Sequence, residues 1–529
     1  MSGASSTQYS LLQIFDVFGK YQIVQYAYIG ITIIFLTLID INFIFVSGDL
    51  KYRCKVSECE NNMSTAENPT WWPNKTIDRC YRPVLKDDYG TCNSSSFTDS
   101  LVQCTEWIYE SNNTVVAELN LGCQPWRSNL IGTIHSFGMM TSMFVTGWIY
   151  DVWGRKPALV ICIVGSAVGV LKVLVKNWYI YVMVEFLEAC MSGGTYTSGM
   201  VLMLEICGKD KRLLAGVLFS YFIYFGETLF ACMAMVIPYW KTMILIIYSP
   251  LILFLSFIWL IKESPRWQIV KGKTEEAKNT MILMAKTNKI NMDMNELSNI
   301  DGVGLRQKFD IKENEKEGFH VIFKSPEILK RVFVACFCRF SASFVYYGLM
   351  LNSVWLPGDK YINFLLITIM SYPGELISLY FMKNIGRKLS LIIGFILTAA
   401  LCFCSAQVPE TYLWTKISLF LVGKMLISGC FTGVITYSME LFPTSVRGLL
   451  LGLGALTSRI GNMMAPLTPM LMTFSPSIPS IFFGCAAVMS GLLIILTPET
   501  RDQPLMDTVR QVEESVLKEK QVNSVATAM

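Results

Sequence analysis

Several ionisable side chains stand inside long apolar stretches of this chain, among them Asp40, Lys172, Glu185, Glu188, Glu227, Arg339, Glu375, Lys424 and Arg459. A charged group at the centre of a bilayer costs about 2.5–3.5 kcal/mol on insertion scales, so each needs a partner or a task. Fixed charges of both signs suit the recognition of an organic ion. A guanidinium binds a carboxylate through two parallel hydrogen bonds, and the rings of Tyr196, Tyr346 and Tyr347 offer faces to a cation and hydroxyls to polar groups. The set does not suit covalent chemistry. With two histidines in the chain, His135 and His320, there is little room for a His-based triad or metal site, and no catalytic residue, metal or cofactor is expected.

Arg459 is the sharpest candidate. It lies mid-span in Thr457-Ser-Arg-Ile-Gly461 and is expected to bear a negative charge of the substrate; the alternative is a salt bridge to Glu375 or Glu227. Arg339 and Asp40 also stand within spans. One acid opposite one or two arginines seats a zwitterion, or else forms a neutral internal pair. Lys172, near the end of its span, is expected to snorkel to the interface, while Lys424, Glu185 and Glu188 are expected to be internal ion-pair partners.

The elements that carry these residues follow from composition. Of 529 residues 53% are hydrophobic and 16% charged, with mean hydropathy +0.44, whereas a soluble chain carries roughly a quarter charged residues. The net charge of +4 is too small and too scattered to argue for nucleic acid. Apolar runs of about 20 residues, the length that crosses ~30 Å of hydrocarbon, lie near 22–46, 130–150, 157–176, 178–204, 213–237 and 241–261. They resume near 331–355, 361–383, 388–408, 413–440, 446–472 and 478–497. Helices are the expected element, because backbone groups in lipid must pair within their own segment. Residues 1–20 are polar and precede a full-length span, so no cleavable leader is expected.

Loop 47–128, between the first two spans, holds Cys54, Cys59, Cys80, Cys92, Cys104 and Cys123, and all four N-x-S/T sequons of the chain, at Asn62, Asn74, Asn93 and Asn112. Cysteines in even number beside glycosylation acceptors place this loop on an oxidising, extracellular or lumenal side. Three disulfides follow, with fifteen pairings open. The opposite side carries Gly-Arg-Lys at 154–156, Lys-Asp-Lys-Arg at 209–212 and Gly-Arg-Lys at 386–388, the bias of a cytoplasmic face. Segment 262–330, rich in Lys, Glu and Asn, has no sequon and contains helical patches such as Thr274–Lys286. The chain then divides into a cytoplasmic N-terminus 1–21, a six-helix half 22–261, the cytoplasmic loop 262–330, a second half 331–499 and a cytoplasmic tail 500–529.

An internal repeat ties the halves together. Arg155 recurs as Arg387, Glu205 as Glu440, Arg212 as Arg447 and Glu263 as Glu499, at offsets of 232, 235, 235 and 236 positions. Paired halves of this kind place the substrate near the midplane at their interface. The repeated acids and guanidinium groups, with Asp151, are expected to pair across the halves at cytoplasmic helix ends and to hold an inner gate shut. The bland alternative is ordinary flanking charge.

The stretch Gly147-Trp-Ile-Tyr-Asp-Val-Trp-Gly-Arg-Lys156 resembles the loop motif of major facilitator transporters. Glu263-Ser-Pro-Arg-Trp267, Tyr346-Tyr-Gly-Leu349, Tyr361-Ile-Asn-Phe364, Gly423-Lys424, Glu440-Leu-Phe-Pro-Thr444 and Pro498-Glu-Thr500 resemble its organic-ion branch, the organic cation, organic anion and carnitine transporters. The resemblance runs from the first span to about residue 508 and includes the large six-cysteine first loop. It implies an all-α membrane protein of twelve transmembrane helices in two pseudo-symmetric halves, the major facilitator fold. Several positions depart from the branch. Glu185 replaces an arginine of the fourth helix, Lys383 an aspartate of the second loop motif, and Arg339 a tryptophan of the seventh helix; Ser371 stands where cation carriers often have glutamate. At the position of Arg459, cation carriers of the branch tend to have aspartate, and anion and carnitine carriers arginine; the resemblance also places Arg339, Asp40, Tyr196, Tyr346 and Tyr347 at cavity or motif positions, which makes them substrate-binding candidates.

These readings combine into an alternating-access carrier of small organic anions or zwitterions, carnitine-like, in a plasma membrane. Its partners are the substrate and lipid, with no nucleic acid. An organic cation carrier using Asp40 or Glu227 is the alternative within the class. A non-transporting receptor or scaffold that kept the fold, with the cysteine loop as its partner surface, is the alternative outside it.

Overall fold

The structure is a computed structural model. It describes residues 15–514 apart from 16, 49, 61–65, 68, 74–78, 87–90, 209–210, 291–299, 309–321, 323, 410, 444, 473, 502–505 and 507. The sequons at Asn62 and Asn74, and Thr444 of the tenth-helix motif, lie outside the described residues.

Among the described residues the apolar runs form twelve helical rods. In the first half they are α1 (Lys20–Val46), α2 (Pro125–Val152), α3 (Arg155–Leu174), α4 (Trp178–Ile206), α5 (Arg212–Val236) and α6 (Trp240–Leu260). In the second they are α7 (Pro326–Trp355), α8 (Lys360–Asn384), α9 (Arg387–Gln407), α10 (Leu413–Leu441), α11 (Arg447–Met464) and α12 (Ile478–Ile494). Eight are long and apolar enough to cross a membrane by length and composition alone. The twelve rods follow the twelve apolar runs, and their ends carry local signals. Asp359 Oδ1 accepts from the N–H groups of Tyr361 and Ile362 at 2.8 and 3.1 Å to start α8, and Asn177 Oδ1 accepts from Tyr179 at 2.9 Å to start α4; both are N-caps that satisfy orphan donors of the first turn.

The rods pack as two similar bundles. In the first, α4 lies against α2 and α3; in the second, α10 lies against α8 and α9. The halves meet along α2 against α11 and α5 against α8. Glycine and serine open these crossings: a Cβ on Gly193 of α4 would stand 2.8 Å from Ser142 of α2, the close approach that small residues permit between helices in lipid.

The loop between α1 and α2 is a small β domain, which the all-helical expectation had not included. Strand β1 (Tyr52–Cys54) pairs antiparallel with β4 (Trp107–Tyr109), and β2 (Tyr81–Leu85) pairs with β3 (Phe97–Gln103). The six cysteines form three bridges, Cys54–Cys104, Cys59–Cys92 and Cys80–Cys123. Around them Val56, Trp72 and Phe97 make a core of their own. So small a core gains stability from cross-links that limit the unfolded chain. Asn93 and Asn112 are exposed on this domain.

On the opposite side, segment 262–330 forms helices Pro265–Val270, Thr274–Asn288 and Gly302–Lys308. Asn288 Oδ1 accepts from the Tyr21 N–H at 2.8 Å, fastening this segment to the start of α1.

Candidate functional site

The repeated motif makes the same joint twice. Gly154 at φ +115° and Gly386 at φ +122° start α3 and α9 in a conformation open to glycine. A Cβ at either would collide with the carboxylate of Glu263 or Glu499. The room is used for capping: Glu263 accepts from the N–H groups of Arg155 and Lys156 at 3.2 Å each, and Glu499 from those of Arg387 and Lys388 at 2.9 and 3.0 Å. A carboxylate over exposed N–H groups at a helix start is favoured by the helix dipole. Burial pushes the Glu263 carboxyl above the usual carboxylate range, against its backbone donors at Ser264, Lys156 and Arg155.

The guanidinium groups of the same joints reach the repeated acids. Arg155 meets Glu205 at 3.2 Å and Asp151 at 3.4 Å; Arg387 meets Glu440 at 3.2 Å. Both pairs lie within one half, so the expectation of pairing across the halves is corrected. Arg155 and Arg387 begin α3 and α9, and each finds its acid at the end of the adjacent α4 or α10. Arg447 Nε donates to the Phe442 carbonyl at 3.1 Å, and Arg212 Nε is buried without a hydrogen-bond partner among the described residues.

Deeper in the first half lies a polar cluster drawn from five helices. His135 of α2 sets Nδ1 2.8 Å from Glu185 Oε1 and Nε2 3.2 Å from Asp40 Oδ1. Lys172 Nζ is 2.9 Å from Glu185, 2.5 Å from Glu188 and 3.1 Å from the Tyr248 hydroxyl. Lys172, Glu185 and Glu188 have fully buried side chains. Glu185 and Glu188 are thus the ion-pair partners that were expected, and the expected snorkelling of Lys172 is corrected. The last turns of α3 tighten into a 3-10 segment, Ser166–Leu174, that faces α4 and α6 and turns Lys172 inward.

At the interface of the halves two carboxylates are held by tyrosines of the opposite half. Glu227 of α5 accepts from the Tyr346 hydroxyl at 3.0 Å, and Glu375 of α8 accepts from Tyr224 at 3.1 Å and from Thr432 at 2.6 Å. Lys424, expected as an ion-pair partner, has no carboxylate within ion-pair distance among the described residues. Its Nζ instead sits 2.9 Å from the centre of the Tyr346 ring and donates to the Tyr346 carbonyl at 3.4 Å, with Glu227 within electrostatic reach.

Arg459 and Arg339 are different again. Arg459 lies over the Tyr196 ring at 5.2 Å, and Arg339 Nε is buried with no hydrogen-bond partner among the described residues. Neither has a carboxylate within ion-pair distance among the described residues, so the alternative of a salt bridge from Arg459 to Glu375 or Glu227 is not realised. Both guanidinium groups, and Asp40, are within electrostatic reach of the Tyr196 hydroxyl, and Arg459, Asp40 and Glu227 of the Tyr347 hydroxyl. The structure therefore brings Asp40, Tyr196, Arg339, Tyr347 and Arg459 together, and joins Tyr346 to them through Tyr347 at 5.2 Å between ring centres. A separate cavity of about 230 Å³ lies nearer the β domain, lined by Phe43, Tyr52, Arg79, Trp355 and Met470 among others. It contains none of these charged candidates.

A family model described as "Sugar (and other) transporter" matches residues 78–511. The chain belongs to this family. Its fold is the major facilitator fold: the xylose transporter XylE from E. coli, in a partially occluded inward-open form, superposes with a TM-score of 0.61 at 14% identity, covering 92% of this chain and 99% of that one. Similar curated relatives include the organic cation transporter protein of Drosophila melanogaster, 27% identical over 94% of this chain and 92% of its own length. Another is solute carrier family 22 member 3 of Rattus norvegicus, 27% identical over 88% and 85%. These agree with the organic-ion resemblance of the motifs. Family membership makes the chain a multi-pass membrane transporter and not an enzyme.

Sequence reasoning about this transporter missed His135 as a site residue, and with it Tyr224 and Thr432. The signal for His135 was available: it is one of two histidines and stands inside an apolar run. The tyrosine and threonine offer no such signal, since their importance comes only from packing beside Glu375.

Proposed function

We propose that the protein carries small organic ions across the plasma membrane by alternating access, and that its substrates are organic anions or carnitine-like zwitterions. The observation that supports this reading is the pair of guanidinium groups, Arg459 and Arg339, without a carboxylate partner among the described residues. The acids nearby are already engaged by His135, Tyr346, Tyr224 and Thr432. A desolvated cation without an anion is costly, and a substrate carboxylate would supply one. Tyr196, Tyr347 and Tyr346 face the same region, and a quaternary ammonium at the far end of a zwitterion would meet their rings.

In this reading loop 47–128 is extracellular and both termini are cytoplasmic, and the Arg155–Glu205 and Arg387–Glu440 pairs belong to a cytoplasmic gate. Each pair is partly exposed, so it contributes modestly and breaks readily, as a gate that cycles requires. The names of the relatives, and Glu375, which has hydroxyl partners but no cation within ion-pair distance among the described residues, favour a second reading, an organic cation carrier. Uptake of labelled anions, zwitterions and cations into cells expressing the protein separates the two. Saturable uptake of anions or zwitterions is expected; saturable uptake of cations alone would overturn the assignment, and no uptake from the library would favour the receptor alternative.

A further inference from the structure

We propose that the Asp40–His135–Glu185 triad is a proton-binding site whose proton travels with the organic ion. The argument begins with atoms. Both ring nitrogens of His135 face a carboxyl oxygen, at 2.8 Å to Glu185 and 3.2 Å to Asp40. An ionised carboxylate only accepts hydrogen bonds, and a neutral imidazole has one N–H and one lone pair. A neutral ring between two ionised acids therefore aims its lone pair at a carboxylate oxygen. One further proton turns that repulsion into a second hydrogen bond, and on the imidazolium both nitrogens donate.

Charge balance points the same way. Three carboxyl groups, Asp40, Glu185 and Glu188, face one ammonium, that of Lys172, in a region where uncompensated charge is expensive. The remaining groups beside this cluster are Asn42 of α1, Tyr181 of α4 and Tyr248 of α6, with the Phe43 ring 5.8 Å from that of His135. Arg339 and Arg459 share the surroundings of Tyr196 with Asp40 but make no ion pair with it among the described residues. A second acceptor waits in the same cluster: Glu188 Oε1 is buried and has no hydrogen-bond partner among the described residues. The Lys172 ammonium already bridges Glu185 and Glu188, so the ligand with room to bind is a proton rather than a metal ion.

Exposure supplies the route. The Asp40 side chain is 20% exposed, against 3% for His135 and 0% for Glu185. A proton enters at the partly exposed Asp40, passes along one hydrogen bond to His135, and leaves the same way once the site faces the other side. Asp40 and Arg459 share the surroundings of Tyr196 and Tyr347. A bare Asp40 carboxylate repels an anionic group docking at Arg459, and a proton held at the triad weakens that repulsion. Proton and anion therefore bind together and move together. This coupling rests on the proposed role of Arg459; the proton site itself does not.

Two measurements separate the two parts. The chain has two histidines, so the full-length protein labelled on the histidine ring nitrogens gives two imidazole signals in magnetic resonance, and His320→Gln identifies that of His135. We expect both His135 nitrogens to be protonated at neutral pH, and Asp40→Asn to move their deprotonation to lower pH. A neutral His135 ring at that pH overturns the site. In proteoliposomes, uptake of labelled L-carnitine or p-aminohippurate is expected to rise several-fold under an inward proton gradient, and this stimulation to be lost in Asp40→Asn. Uptake indifferent to the gradient overturns the coupling. Uptake of tetraethylammonium alone, or of none of the three probes, overturns the substrate reading, while the histidine spectrum still decides the proton site.

Discussion

Replacing Arg459 with alanine separates a binding role from a structural one, because the structure gives the two roles opposite consequences. The guanidinium has no carboxylate partner among the described residues and rests on the Tyr196 ring at 5.2 Å. Truncation thus orphans no buried acid and gives up only a cation–π contact, about 0.5–1 kcal/mol. Folding and surface delivery should be close to wild type. Binding should suffer far more. A hydrogen bond to a charged group contributes about 1.5–3 kcal/mol, and ~1.4 kcal/mol is tenfold in affinity, so the apparent affinity for an anionic or zwitterionic substrate should fall about ten- to a hundredfold. Arg459→Lys keeps the charge without the planar fork and should be intermediate. Arg459→Asp should abolish anion transport. The assay is concentration-dependent uptake, normalised to surface-labelled protein. Wild-type affinity in Arg459→Ala would refute the binding role. Poor surface delivery rescued by neutralising Glu375 or Glu227 would instead restore the salt-bridge account.

Three further outcomes are expected. Lys172→Met leaves Glu185 and Glu188 buried without their cation and should destabilise the purified protein by about 3–5 kcal/mol, with Glu188→Gln in the same chain restoring part of the loss; thermal unfolding reads this, and an unchanged midpoint for Lys172→Met would show that the cluster is not ionised as drawn. Neutralising Arg155 or Arg387 should impair transport with much of the protein still at the surface, and transport unchanged in both variants would reduce these residues to topological charge. Enzymatic deglycosylation of surface protein should raise its gel mobility, with Asn93→Gln and Asn112→Gln each removing a step; no shift, together with six reactive loop thiols, would contradict the proposed extracellular placement of loop 47–128.

Much of the fold was legible because the membrane reduces the problem to lengths of apolar sequence, and the duplicated motifs then organise the helices into halves. The joints show why such motifs are readable. Gly154 and Gly386 each serve one geometric need, a positive φ beside a carboxylate, and Glu263 and Glu499 each cap one helix start. Local requirements of this kind leave a fixed residue type at a fixed spacing. What the sequence did not disclose depends on which face of a helix meets which neighbour. Lys172 lies near the end of an apolar run, where snorkelling is the ordinary outcome, and only the tightened turns of α3 send it inward. The disulfide pairing needed the register of β1 with β4 and of β2 with β3, which six spacings alone do not contain.

The charges are also divided unequally between the halves, and the division bears on mechanism. Asp40, His135, Lys172, Glu185 and Glu188 all belong to α1–α4, where they form one connected network. Arg339 and Arg459 belong to α7 and α11 of the other half and have no such network among the described residues. Tyr196 of α4 and Tyr347 of α7 stand where the two sets meet. If the halves rock as rigid bodies about a fixed site, the charges within the first cluster keep their distances while Asp40 changes its distance from Arg459. The energy of the empty cavity then depends on which way it faces, and an anion or a proton lowers that energy by different amounts in the two orientations. A ligand shifts a conformational equilibrium only by its differential affinity for the two states. Here that difference is carried by electrostatics between one half and the other.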